Sequence, residues 1–158
     1  MNSQKKILTQ SSLADFLLKS KQPLVFTNGC FDILHRGHTT YLEQARNLGA
    51  ALMVGLNSDE SVRKQGKSPE RPLNTLEDRM AVMASLECVD AVISFDDETP
   101  AALIEQVRPQ ILVKGGDWPV DEIVGADVVT ADGGSVHSIA FEYDRSTTSL
   151  VEKIRTSL

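Results

Sequence analysis

The sequence predicts an α/β fold, a Rossmann-like doubly wound parallel sheet in a single domain, and three observations carry that expectation. Short apolar runs of strand length alternate with segments of helical apolar period along the chain. Glycines follow two of those runs within three residues, at Gly29 and at Gly115-Gly116, the strand ends where an open parallel sheet receives ligands. Finally, 158 residues at 41% hydrophobic and 24% charged suffice for one substantial core but not for two ordinary enzyme domains, so one unit is expected over residues 1–158.

Residues 1–22 read as a leading helical segment, with the helix itself over Ser12 to Ser20. Pro23-Leu24-Val25-Phe26 is an apolar run suited to a buried first strand, and Tyr41, Leu42, Ala45 and Leu48 recur at helical spacing after it. Ala51 to Leu56 gives the second strand, and Asn57-Ser58-Asp59 caps a short helix or turn. Residues 63–74 form a basic loop rich in helix breakers, expected to be mobile. Four basic residues (Arg63, Lys64, Lys67, Arg71) face one acidic one (Glu70) there, a local excess of positive charge in an acidic chain.

A helix is expected from Asn74 or Thr75 to about Leu86, its apolar stripe made by Leu76, Met80 and Met83. Arg79 falls inside that stripe, where a guanidinium needs an anionic partner; a structural salt bridge and a phosphate contact both satisfy the requirement. Val89 to Phe95 reads as the third strand, and Thr99-Pro100 opens a helix that ends before Pro109. Ile111-Leu112-Val113 is the fourth. Ala126 to Thr130 and Val136 to Tyr143 read as two further strands around Asp132-Gly133-Gly134, and a last helix is expected to bury Leu150, Val151 and Ile154.

Chemistry concentrates in Thr27-Asn28-Gly29-Cys30-Phe31-Asp32-Ile33-Leu34-His35-Arg36-Gly37-His38. Gly29 permits a tight turn and a close approach of phosphate to the backbone. His35 and His38, two of the chain's three histidines, share one face if a helix begins beside them, so both rings can reach one ligand. Lys114-Gly115-Gly116-Asp117-Trp118 closes the fourth strand, where backbone atoms can meet a base or ribose and the lysine a phosphate. Arg145-Ser146-Thr147-Thr148-Ser149 crowds more hydroxyls at a helix start than capping requires, which reads as an anion site. His137, on a late strand, has no assigned role.

The net charge of −6 argues against a nucleic-acid partner. No apolar run approaches a membrane span, and Met1 to Lys6 leads into the polar Thr9-Gln10-Ser11-Ser12 rather than a signal-peptide core, so a cytoplasmic location is expected. Cys30 and Cys88 have no metal-ligand spacing, and no protein-held metal site is expected.

Phe31-Asp32-x-Leu34-His35-x-Gly37-His38 after Thr27-x-Gly29 resembles the signature of the HIGH-motif nucleotidyltransferases. Arg79, Gly115-Gly116-Asp117-Trp118 and Ser146-Thr147-Thr148 match that pattern in order and extend it over nearly the whole chain. Within the superfamily, Thr27 to Asp32, Arg71-Pro72-Leu73-Asn74, Val113 to Asp117 and Arg145 to Ser149 resemble the D-glycero-β-D-manno-heptose 1-phosphate adenylyltransferases. Arg145 departs from the cytidylyltransferase branch, where an apolar residue commonly precedes Ser-Thr-Thr.

The resemblance implies transfer of AMP from ATP to a heptose 1-phosphate with release of pyrophosphate, Mg²⁺ arriving on the nucleotide, as a step towards the lipopolysaccharide core. A separate sugar kinase and further copies of the chain are the implied protein partners. It implies catalytic roles for His35, His38, Lys114 and Arg79. Nucleotide binding is expected of Thr27, Asn28, Gly29, Cys30, Phe31, His35, His38, Lys114, Gly115, Gly116, Asp117, Trp118, Arg145, Ser146, Thr147 and Thr148. Sugar phosphate binding is expected of Asp32, Asn57, Asp59, Lys64, Arg71 and Arg79. The alternatives are a glycerol-3-phosphate cytidylyltransferase and a non-catalytic nucleotide-binding module; a flavodoxin-like redox module leaves the paired histidines unexplained.

Overall fold

The computed structural model describes residues 2–66, 70–143 and 146–157. Five parallel strands, β1 (Leu24–Gly29), β2 (Ala51–Asn57), β3 (Ala91–Phe95), β4 (Ile111–Gly115) and β5 (Ser135–Ile139), form one sheet in the order β3-β2-β1-β4-β5. Every crossover carries helix: α2 (Arg36–Arg46), then α3 (Asp59–Lys64) with α4 (Leu76–Ser85), then α5 (Ala101–Val107), then α6 (Ala126–Ala131). A 3₁₀ turn (Ser3–Lys6) and α1 (Gln10–Lys19) precede the sheet, and α7 (Thr147–Thr156) follows it.

β2 is buried along its whole length, and Leu24 to Thr27 of β1 likewise, which is why these strands read as continuous apolar runs rather than alternating ones. On one face Leu13, Phe26, Met53, Ile104 and Val129 pack α1, α5 and α6 against the sheet. On the other, Leu42, Val54, Met83 and Val113 do the same for α2 and α4.

The strand order reverses between β1 and β4. Their pairing runs through Val25↔Ile111 and Phe26↔Leu112, yet β1 continues to Gly29 and β4 to Gly115. The two carboxyl ends therefore part and leave a crevice at the topological switch point, where doubly wound sheets bind ligands.

Four expectations are corrected. Residues 126–131 are helix, not strand: Gly125, at φ 86, turns the chain into α6, and Ala126 and Val129 bury one side of it at helical spacing. The β-branched run Val128-Val129-Thr130 suggested a strand, but a parallel β5 needs a crossover between it and β4. β5 ends at Ile139 rather than Tyr143, so Phe141 lies beyond the sheet. In α7, Leu150 and Ile154 are 38% and 54% exposed and Val151 is half-buried, lining a groove with Ile33 and Leu73, while Thr147 is the buried residue of the helix. At α5, Pro100 occupies the cap position and the helix begins at Ala101.

Candidate active site

Ser58 and Thr75 cap α3 and α4 with their hydroxyls, receiving the Ser61 and Asp78 amides. The chain enters α2 differently. Phe31 adopts φ 46, a left-handed value rare for a bulky side chain, and its buried ring lies under Gly29, where any Cβ would come within 2.8 Å of it. His35 follows as the N-cap residue of α2. The crevice thus receives the end of β1 and the amino terminus of a helix, a pairing suited to anions.

The rings of His35 and His38 stack with centroids 3.8 Å apart, and of the two only His38 lines either of the clefts described below. Burial first, and then the neighbouring His35, push the His38 imidazole from its ordinary 6.5 down to about 4, against the opposing Ile33 backbone. Near neutral pH His38 is a neutral imidazole, able to donate one N–H. Its ring also meets Phe31 and Phe141 edge-on, which accounts for the desolvation.

Tyr41 braces the crevice. Its hydroxyl bonds the Thr27 hydroxyl and donates to the Val113 carbonyl at 3.4 Å, so one side chain on α2 ties β1 to β4. Burial pushes the phenol far above its usual range. Gly115 lies against this brace, because a Cβ there would meet the Phe141 ring at 2.8 Å and the Tyr41 ring at 3.2 Å.

Two clefts open at this end of the sheet. One of about 150 Å³ is lined by Asn28, Gly29, Cys30, His38, Lys114 and Phe141, among others. A second, of about 220 Å³, shares Asn28 and Lys114 and extends to Asn57, Gln65, Glu98 and Trp118. Lys114 stands where they meet.

A family model described as cytidylyltransferase-like matches residues 26–151, which span both clefts. The chain belongs to the cytidylyltransferase-like family. D-beta-D-heptose 1-phosphate adenylyltransferase of Bordetella bronchiseptica is 51% identical to it over 152 residues, covering 95% of this chain and 94% of that protein. The bifunctional protein HldE of Azotobacter vinelandii is 57% identical over 134 residues, 85% of this chain but only 28% of that protein. The crystal structure of a lipopolysaccharide core biosynthesis protein from Thermoplasma volcanium superposes with a TM-score of 0.61 at 29% identity, over 77% of this chain and 98% of that one. A pantoate-beta-alanine ligase from Francisella tularensis, at 12% identity and a TM-score of 0.59 over 89% of this chain and 68% of that one, shares the fold alone.

In this cytidylyltransferase-like chain the residues expected to bind nucleotide fall into two groups. Asn28 to Phe31, His38, Lys114 and Gly115 come together around the smaller cleft. Thr27 is fully buried beneath it and serves the Tyr41 brace. Gly116, at φ 117, and Asp117 lead to Trp118, whose amide donates to Ser138 Oγ and whose indole N–H donates to the Gly115 carbonyl. Ser146 and Ser149 cap α7 reciprocally, Thr147 Oγ1 donates to the Ile33 carbonyl at 3.4 Å, and Thr148 lines a separate groove against Arg71 and Leu73. Half of the hydroxyl run is thus spent on capping. Arg145 lies outside the described residues.

The sugar phosphate set is largely not where the sequence suggested. Both Asp32 carboxylate oxygens receive the Leu73 amide, Oδ1 also receives the Asn74 amide, and Oδ2 pairs with Arg71. Asp32 and Arg71 therefore pin residues 71–74 to the β1–α2 turn, so that part of the basic loop is tethered, and Arg71 also lines the groove beside Thr148. Lys64 pairs with Glu60 on the exposed side of α3, and this contact raises its pKa. Lys67 lies outside the described residues. Of the set, only Asn57 lines either cleft, and its amide donates to Ser61 Oγ.

Arg79 has a fully sheltered side chain. It donates to the carbonyls of Asn74, Cys30 and Asn57 and to Asp59 Oδ1 at 2.7 Å. Of the two alternatives the sequence left open, the structure supplies the structural salt bridge, which also occupies Asp59. Arg79 acts through the strand ends it ties together.

The sequence reasoning missed Tyr41, Phe141, Gln65 and Glu98 as lining or bracing residues. Tyr41 was legible only as one more apolar helix position. Phe141 was hidden inside an overlong strand.

Proposed function

We propose that this chain transfers AMP from ATP to a heptose 1-phosphate, giving ADP-heptose and pyrophosphate. The observation that carries the reading is the convergence of His38, the Gly29–Phe31 turn, the amino terminus of α2 and Lys114 on one crevice at the β1/β4 switch point. That donor set suits phosphate oxygens. The adenylyltransferase relative, matched over nearly its full length, supports the choice of acceptor and of ATP.

A phosphate monoester has its second pKa near about 6 and is mostly dianionic at neutral pH, so its oxygen needs little help from a general base. It attacks the α-phosphorus in line, a new P–O bond forms, and the bond from the α-phosphorus to the β-bridging oxygen breaks to release pyrophosphate. The protein aligns the partners and spreads the charge that develops. His38 donates from a neutral ring to a phosphate oxygen, His35 adds a second imidazole beside it, and Lys114 sits where donor and acceptor phosphates meet. The amides at the start of α2 face the same oxygens. Mg²⁺ would be held by the nucleotide's own phosphate oxygens and would neutralise part of their charge.

A kinase that supplies the sugar 1-phosphate, and assembly with further copies of the chain, belong to the same proposal. So does a place in building the lipopolysaccharide core. The cytidylyltransferase-like description of the family keeps one rival in view, a cytidylyltransferase acting on glycerol 3-phosphate.

Pyrophosphate release with ATP or CTP against a panel of acceptors tests the reading. Turnover with ATP and D-glycero-β-D-manno-heptose 1-phosphate is expected; preference for CTP with glycerol 3-phosphate, or no release with any pair, overturns it.

A further inference from the structure

We infer that the larger of the two clefts holds the acceptor's sugar ring, with Trp118 as its platform and the Glu98 carboxylate as the group that selects its hydroxyls. The inference rests on the adenylyl-transfer reading above and deepens it.

The residues first expected to bind the sugar are engaged elsewhere: Asp32 with Leu73, Asn74 and Arg71, Asp59 with Arg79, Lys64 with Glu60. Asn57, the one member of that set on either cleft, lines the larger one. The cleft of about 220 Å³ shares Asn28 and Lys114 with the phosphate cleft, so a ligand seated in it has its phosphate end at the reacting centre.

Its chemistry is unlike that of its neighbour. Away from Lys114 the polar side chains on its wall include the amides of Asn57 and Gln65 and the carboxylate of Glu98. A carboxylate repels phosphate and accepts strongly from hydroxyl donors, and amides offer both donors and acceptors. That set fits a neutral polyhydroxylated ring rather than a triphosphate.

Trp118 supplies the remaining requirement. Trp118 is 49% exposed beside this cleft, yet it is fixed by its amide on Ser138 Oγ at 3.0 Å and by its ring N–H on the Gly115 carbonyl at 3.2 Å. Ser138 Oγ in turn donates to the Gly116 carbonyl at 2.7 Å. Gly116 has to be glycine for two reasons: its φ is 117, and a Cβ there would come within 2.7 Å of the indole nitrogen. An exposed aromatic face held rigidly at low entropic cost is what the C–H face of a pyranose packs against.

The test uses Glu98→Gln and the wild-type protein, whose sole tryptophan is Trp118. Loss of a charge-assisted hydrogen bond should raise KM for D-glycero-β-D-manno-heptose 1-phosphate by about ten- to a hundredfold, with KM for ATP within about twofold. In the wild type the same sugar phosphate should change tryptophan emission saturably, and inorganic phosphate should not. A rise in KM for ATP instead would make the cleft a nucleoside site and overturn the inference. An unchanged sugar KM together with silent tryptophan emission would also overturn it. If the wild type releases no pyrophosphate with this sugar phosphate, the adenylyl-transfer reading itself fails, an outcome distinct from either.

Discussion

The rings of His35 and His38 stack with centroids 3.8 Å apart and planes 23° from parallel. Two imidazolium ions at that separation repel, so before ligand binds the pair favours at most one charge.

Stability should therefore depend on His38. In the unfolded chain the imidazole titrates near its ordinary 6.5, and in the folded chain near 4. Between those values the unfolded state binds more protons, so stability is fully present above about 6.5 and falls as pH drops towards 4. Unfolding midpoints of the wild type and His38→Asn across this range would show a steeper slope in the wild type. Equal slopes would refute the assignment.

His38→Ala and His35→Ala should each lower kcat by about 10²–10³-fold, with circular dichroism and unfolding near neutral pH little changed. Pyrophosphate release measures the first and thermal melting the second. Near-normal turnover in both variants would remove the histidines from the mechanism.

Arg79→Met should destabilise the fold by about 3–5 kcal/mol, since it leaves three carbonyls and the Asp59 carboxylate without their shared donor. Denaturant unfolding distinguishes this from a phosphate contact. A variant of unchanged stability that had lost only activity would restore the ligand role.

Asp32→Asn should weaken the link between the β1–α2 turn and residues 71–74, because an amide oxygen cannot replace a carboxylate that receives two backbone amides and pairs with Arg71. A loss of about 1.5–3 kcal/mol is expected in denaturant unfolding. Lys64→Ala, which removes only an exposed pair with Glu60, should leave KM for both substrates unchanged. A marked rise in either KM would return Lys64 to the site.

The sheet was legible because four of its strands are apolar runs bounded by turn residues, and the histidine corner because its residue types have no packing purpose in common. The error at residues 126–131 came from a β-branched run whose state is decided by topology: only a helix there lets β5 lie parallel to β4. Arg79 was placed correctly on the inner face of its helix, but periodicity cannot say whether a buried guanidinium meets carbonyls or a ligand. The pairing of Asp32 with Arg71 was hidden for a related reason. They are far apart in the chain, and their pairing depends on how residues 71–74 return to the turn. Glu98 and Gln65 carry no local signal, since a cleft wall assembled from separate loops has no spacing to read.

The Tyr41 brace separates two mechanical duties. Because one hydroxyl cluster spans α2, β1 and β4, the distance between His38 and Lys114 is a property of the sheet and its first crossover. The loops carrying Glu98 and Trp118 lie outside that brace. A change of acceptor sugar can then be made by rewriting those loops while the phosphate chemistry keeps its alignment, as a lathe accepts a new chuck without moving its bed.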